Sequence, residues 1–460
     1  MSQIDFDALL RLLSFTPGEP MLFNSGLFLV LFLLFSAGYA LLSAQRAKAV
    51  RLLYVTAFSY YFYYKNAGAW CCLLAVITLV NYFCALRLDH TERPAARKAW
   101  LWLAVGFMLG QLAVFKYTDF AIGTWCDLTG EPRPDTPALP VLVGISFFTF
   151  QSMSYIIDVY RRQMPATRSL TDFAFFVSFF PTLLAGPILR ARTFLPQLAK
   201  PLCVTQQMLG TGTWFIIIGL FKKCVISDYI SVNFVSRIFD NPALYSGLEN
   251  LLGIYGYALQ LYCDFSGYSD MAIGIALWMG FEIPANFRAP YKSDSITDFW
   301  RRWHISLSSW LRDYLYISLG GNRKGRLRMY FNLFLTMLLG GLWHGASWNF
   351  VIWGSVHGFA LGVHKRFREL LGHDRHYQST GIRRFFAVLL TFHLVCFCWL
   401  FFAGTSFEAS MQMIGQICSN FNPQLLPQFL EGYPLVSALM VGGFVLHFLP
   451  TAWNGKAESL

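Results

Sequence analysis

Charge is what this sequence has least of. Only 13% of its 460 residues are Asp, Glu, Lys or Arg, against roughly 25% in an average soluble domain. So few charges cannot cover the water-facing surface of a chain this long. The mean hydropathy of +0.45 and the long uncharged runs point to a membrane protein, not a string of soluble domains. Acidic residues are the scarcer sign: 36 Lys and Arg face 25 Asp and Glu, for a net charge of +11. In a soluble protein that excess would suggest nucleic acid. Here it reads as the cytoplasmic loop bias of a membrane protein, and nucleic acid is not an expected partner.

Other absences narrow the chemistry. No C-x-x-C pair occurs among the ten cysteines, which speaks against a zinc ribbon or a thioredoxin-like site, and no metal is expected. Cys71, Cys72, Cys84, Cys224, Cys263, Cys396 and Cys398 lie in apolar runs and read as buried thiols. Residues 1–20 lack a basic n-region, so they read as a short N-terminal segment and not a cleavable signal. There is no G-x-S-x-G, no H-E-x-x-H and no Walker motif. Gly320-Gly321-Asn322-Arg323-Lys324-Gly325 and Gly210-Thr211-Gly212 read as turns or packing sites.

What is present is a series of apolar stretches. A span needs about 20 apolar residues. Candidates are 21–42, 52–64, 69–86, 99–117, 139–160, 173–189, 208–221, 251–261, 271–281, 329–343, 348–363, 385–402 and 434–449. Several are too short to cross unaided and read as tilted or re-entrant. The expected architecture is all-α: a polytopic membrane helical bundle of ten to thirteen segments, forming one membrane domain over 21–453 with a C-terminal tail at 454–460. Basic residues mark alternate loops, with Arg46, Lys48 and Arg51 in one, Arg87, Arg93, Arg97 and Lys98 in the next, and Arg161, Arg162 and Arg168 in a third. The intervening loop holds Asp119, Asp127, Glu131 and Asp135. This alternation places the N-terminus outside and residues 43–51 inside.

The informative stretch is 290–370. Residues 329–363 contain no charged side chain, and as one helix they would run about 52 Å, far beyond a hydrocarbon core of roughly 30 Å. The run must fold back, and Gly345-Ala346-Ser347-Trp348-Asn349 is the expected break. Basic residues at both ends (Arg323, Lys324, Arg326 and Arg328; Lys365, Arg366 and Arg368) put both ends on the cytoplasmic side. His344 then sits beside the apex, where an ionisable group is costly and marks a functional site by default. A packing role competes, because Gly341–Gly345 and Gly354–Gly358 both fit G-x-x-x-G. His357 reads as a packing bystander.

Upstream, Ser295-Ile296-Thr297-Asp298 reads as a capping box opening a helix. Trp300, Trp303, Leu307, Leu311 and Tyr314 form its apolar stripe, with His304 inside the stripe and Arg301 and Arg302 outside it. His304 is thus either a core imidazole satisfied by a carbonyl or part of a site, and the arginines are either interfacial anchors or an anion-binding set. An imidazole near neutrality suits general base work, and cytoplasmic cations suit the phosphates of a nucleotide-type acyl donor.

These residues, together with 21–25, 143–151, Ala185-Gly186-Pro187, Lys222-Lys223 and 262–270 in order, resemble the membrane-bound O-acyltransferase family. The bacterial branch of alginate and peptidoglycan O-acetyltransferases is the nearest in kind, and the likeness runs from about Met21 to His364. The resemblance implies a helical bundle with a central tunnel in the bacterial inner membrane, acetyl-CoA as donor, and a cell-envelope polysaccharide as the final acceptor. It implies catalytic roles for His344 and His304, with Arg301, Arg302, Arg312 and Lys324 holding the donor. Asp264, Ser266, Asp270 and Asn286 would line the tunnel. It also implies a separate SGNH-type acetyltransferase partner outside the membrane, beside the surrounding membrane lipids. A multi-span transporter without acyl chemistry is the rival reading, and a haem protein with His304 and His344 as axial ligands is a second.

Overall fold

The computed structural model describes residues 6–44, 48–135, 139–140, 142–372 and 379–449. The expected tail at 454–460 lies outside them. Every regular element among the described residues is helical. The chain divides into two compact units, residues 1–216 with 271–284, and residues 217–270 with 285–460.

The first unit contains α1 (Gly26–Ala44), α2 (Lys48–Ala67), α3 (Cys71–His90), α4 (Pro94–Thr129), α5 (Ile145–Tyr160), α6 (Leu170–Ser178) and α7 (Ala191–Ala199). It also takes most of α8 (Gln206–Leu220). Its core is aromatic. The Phe180 ring lies 5.0 Å from Phe58, 5.5 Å from Phe35 and 6.0 Å from Phe62. The opposite face of α1 shows Val30, Leu33, Leu34 and Leu41 at 59% to 69% exposure. Such a stripe is stable only against hydrocarbon. Arg97, expected as a loop charge, is buried. Its guanidinium donates to Leu88 O at 2.7 Å and Tyr160 O at 2.9 Å. It thereby satisfies terminal carbonyls of both α3 and α5, which the helices cannot pair themselves.

The second unit contains most of α9 (Gly247–Trp278), then α10 (Ile296–Arg302), α11 (Ile305–Trp310), α12 (Arg326–His344), α13 (Trp348–Leu370), α14 (Gly381–Ala403), α15 (Phe407–Ser419) and α16 (Pro434–Phe448). Three π-helical turns interrupt the regular pattern, at Phe221–Ser227, Ser231–Val235 and Leu311–Tyr316. Its core centres on Trp399, whose ring lies 4.9 Å from Trp303 and 6.2 Å from Trp353.

By length and apolarity alone, four stretches among the described residues qualify as spans: Gly26–Ser43, Lys48–His90, Pro94–Thr129 and Gly381–Ala403. A pair bent by 104°, Pro423–Gly432 with Pro434–Phe448, would make a fifth. Most of the other expected segments are helices that are shorter or carry polar residues, such as α12, and the one expected at 173–189 is helical only as far as Leu183, with a break at Phe179. The 43-residue stretch contains two helices, α2 and α3, broken at Gly68, whose φ of +58° favours glycine.

Three expectations change. The separate segments 251–261 and 271–281 join in one helix, α9, which ends at Trp278, so Asp264 and Asp270 stand mid-helix. The helix expected through 298–314 is broken at His304. Cys72 and Cys224 are exposed and Cys71 is partly so, while Cys84, Cys263, Cys396 and Cys398 are buried as expected. The hairpin break at 345–347 falls where the uncharged run required it.

Candidate functional site

The candidate site is built within the second unit. Ser295 Oγ accepts from the Asp298 backbone N–H and starts α10 as the capping pattern predicts. Asp298 does not reach back to complete the box; it pairs with Arg302 at 2.8 Å. The helix stops because a strap from the preceding loop inserts its own hydrogen bonds. Arg288 N donates to Arg302 O at 2.9 Å, and Ile305 N donates to Asn286 O at 2.9 Å. Between these bonds His304 is held at φ +44°. A non-glycine residue there is strained, and surrounding contacts must enforce it. The turn drives the imidazole inward to 1% exposure. Trp300, Trp303, Leu307, Leu311 and Tyr314 are all buried, so the predicted stripe survives the break.

Asn286 is itself 1% exposed. Its Oδ1 accepts from Ser306 Oγ at 2.9 Å, from Ser306 N at 3.2 Å and from His304 Nδ1 at 3.1 Å. Its Nδ2 donates to Ser269 Oγ at 3.3 Å. The Ser306 backbone can only donate, which identifies the oxygen end of the amide. His304 Nδ1 therefore carries the proton, and Nε2 is the lone-pair nitrogen of the neutral ring. Phe265 presses edge-on to this ring at 4.7 Å.

His344 is the last residue of α12. Unlike His304 and His357 it is only half-buried. Trp343 links the two sites, its ring 6.1 Å from His304 and 4.9 Å from His344. Trp353 at 5.1 Å and Phe402 at 5.2 Å complete an aromatic wall around His344. Gly345 clears the space for Phe350 to fold over, since a Cβ there would overlap the Phe350 ring. The glycine spacing also packs the hairpin: a Cβ on Gly341 would lie 3.0 Å from Gly354 Cα, and one on Gly358 would lie 2.9 Å from Phe334 Cα. Packing and the imidazole site thus share one motif. His357 is wholly buried; its Nδ1 accepts from Trp300 Nε1 at 3.3 Å.

Two carboxylates of α9, Asp264 and Asp270, pair with lysines. Lys222 reaches Asp270 at 2.7 Å, and Lys223 reaches Asp264 at 2.5 Å and Asp228 at 2.7 Å. Gly267 makes this possible, because a Cβ there would come within 2.8 Å of Gly219 O. Lys222-Lys223 belongs to the motif series that carries the family resemblance, and no site role follows from the motif alone. Two lysines beside an apolar run were the signal that they need buried partners. Ser266, between the two carboxylates in sequence, is buried.

The four cations assigned to the donor lie apart in their bonding. Arg301 and Lys324 are exposed, Arg302 is tied to Asp298, and Arg312 pairs with Asp313 at 2.7 Å. Among the described residues no hydrogen bond joins one of the four to another. Lys324 follows a turn through Gly320 and Gly321, both at positive φ, as the glycine run suggested. No group of three metal-ligating side chains occurs among the described residues.

An all-helical membrane protein with two imidazoles joined through one indole is the class these features define. The family model described as membrane-bound O-acyltransferase (MBOAT) matches residues 22–403, and the chain belongs to that family of O-acyltransferases. It is 42% identical over 449 residues to a protein of Pseudomonas putida named probable alginate O-acetylase AlgI, covering 95% of this chain and 88% of the relative. It is 36% identical over 423 residues to a peptidoglycan O-acetyltransferase of Helicobacter pylori, covering 86% and 79%. A teichoic acid D-alanyltransferase of Bacillus subtilis is 33% identical over 298 residues, covering 60% and 73%.

Proposed function

We propose that this protein moves an acetyl group from cytosolic acetyl-CoA to an acceptor outside the bacterial inner membrane, for O-acetylation of an envelope polysaccharide such as alginate or peptidoglycan. The observation that carries the reading is His344: a half-buried imidazole in an aromatic wall, coupled through Trp343 to His304. The names of the Pseudomonas and Helicobacter relatives support acetyl as the group and an envelope glycan as the destination.

In this reading His344 takes the proton of an acceptor hydroxyl as its oxygen attacks the thioester carbonyl. A C–O bond forms, the C–S bond breaks, and the proton passes from His344 to the departing thiolate. The aromatic wall keeps water from the thioester. His304 enters as a proton acceptor or as an anchor for the incoming hydroxyl. With Nδ1–H committed to Asn286, a neutral His304 has no Nε2–H with which to polarise the donor carbonyl. Arg301, Arg302, Arg312 and Lys324 supply positive charge for the donor phosphates. Asp264 and Asp270, with their lysine partners, line the tunnel together with Ser266 and Asn286. An SGNH-type partner receives the acetyl group outside. The single membrane domain across 21–453 is part of the same proposal, and the family match covers residues 22–403 of it.

The test is CoA release from acetyl-CoA by purified protein with its partner and glycan. His344→Ala should lower the rate by about 10²- to 10⁴-fold, the range for loss of a general base. A folded variant at wild-type rate sinks the scheme, and wild-type protein that releases no CoA favours transport without chemistry.

A further inference from the structure

Away from His304, His344 and His357, a groove of about 780 Å³ runs beside α14. Leu389, Phe392 and Phe444 are among its apolar lining residues, with Lys292 and Arg384 as its charged ones. We propose that this groove is a binding site for an anionic phospholipid, its phosphate at Arg384 and Lys292 and an acyl chain along Leu389 and Phe392.

Three observations support one occupant of that chemistry. First, α14 is among the stretches apolar enough to span a membrane, so a groove along it is bathed in hydrocarbon and not in water. Second, the lining changes character along the helix. Arg384 stands in the first turn, beside a helix N-terminus that no side chain caps. From there to His393 is about 14 Å at 1.5 Å per residue, the depth of one leaflet of a roughly 30 Å core. A chain laid in the groove thus ends near mid-membrane while its headgroup meets the guanidinium. Third, the rim charge is complementary to a phosphate. Arg384 is exposed, and uncapped N–H groups at a helix start favour an anion. Lys292 also bonds Leu449 O at 2.6 Å, which ties the rim to the end of α16. Asp294 is the opposing charge, and its carboxylate accepts from Ser379 Oγ at 2.7 Å and Ser379 N at 3.1 Å. At the inner end Tyr255 Oη and His393 Nε2 are bonded at 2.9 Å, leaving an apolar channel between two polar ends.

The test is native mass spectrometry of the intact protein in detergent, titrated with dioleoylphosphatidylglycerol and, separately, dioleoylphosphatidylcholine. Wild type should retain the anionic lipid several-fold more than the zwitterionic one. Arg384→Gln should erase that preference, and Leu389→Trp should remove retention of both lipids by filling the groove. Both positions are exposed, and a melting curve in the same detergent checks that each variant is folded. Inorganic phosphate at equal concentration should not displace the lipid, which separates a chain site from a simple anion site. Equal retention of the two lipids by wild type, or unchanged retention in both folded variants, overturns the proposal. None of these readouts depends on acyl transfer.

Discussion

Asn286 Oδ1 accepts a hydrogen bond from His304 Nδ1–H at 3.1 Å while also accepting twice from Ser306. One amide oxygen therefore sets the tautomer of the imidazole and the bend of the chain that carries it. Asn286→Leu strands three buried donors, each worth about 1–3 kcal/mol when orphaned. The expected outcome is a lower melting temperature and an acyl-transfer rate down about 10- to 100-fold, as when a hydrogen-bond partner of a functional imidazole is lost. Asn286→Asp keeps the acceptor oxygen and should recover most of the rate. Equal rates for the two variants would count against a positioning role.

His357 should behave differently from His344. Its ring is fully buried behind Trp353, at 4.7 Å. His357→Phe orphans the Trp300 indole N–H, which predicts a loss of about 1–3 kcal/mol in stability. Residual activity per folded molecule should stay within a few-fold of wild type. A loss comparable to that of His344→Ala would place His357 in the chemistry.

The Lys222–Asp270 pair is largely buried, with side chains 24% and 16% exposed. Lys222→Met leaves a lone carboxylate and should cost about 3–5 kcal/mol. Lys222→Met with Asp270→Leu should regain most of it. A double variant no better than the single would show that Lys222 acts through something other than this pair.

The hairpin leaves no room at Gly354. A Cβ there would lie 3.0 Å from Leu338 Cα and overlap Met337 O. Gly354→Ala should destabilise by about 1–3 kcal/mol. It should also reduce turnover, because the shift moves Trp353 against His344. Thermal unfolding together with CoA release checks both effects.

Asp294 lies in a connecting loop. Burial raises its carboxyl, but the Ser379 hydroxyl and N–H, Ser295 and the Arg384 charge outweigh that and hold it below the usual range. A depressed folded value stabilises the protein above the unfolded value of about 3.9, and the gain is lost as pH falls through the folded value. Ser379→Ala should therefore melt lower than wild type near neutral pH. The gap should close as pH falls below the unfolded value and through the folded one. A gap that widens in acid contradicts the assignment.

Several features were legible before folding. The charge-free run 329–363 forced a hairpin, its glycines marked the break, and Ser295 marked the start of α10. Other features were not. The sequence pattern continued the α10 helix through His304, because hydrophobic periodicity is blind to a strap that competes for the same backbone groups. Asp264 and Asp270 fell between two apolar runs expected as separate segments, because charge interrupts an apolar pattern. Their neutralisation by Lys222 and Lys223 from a distant turn is a tertiary fact.

By itself the sequence determined the membrane setting, the all-helical class and the placement of an imidazole beside an apex. These follow from composition and from spacing along one chain, where the cost of burying charge or backbone is local. Only the tertiary structure decided which imidazole is reachable, which nitrogen of His304 holds the proton, and which carboxylates are paired. Those depend on which side chains meet across tens of residues, between different helices and loops. Asn286 and His304 are eighteen positions apart in sequence, yet it is the fold of the intervening chain that makes them one unit.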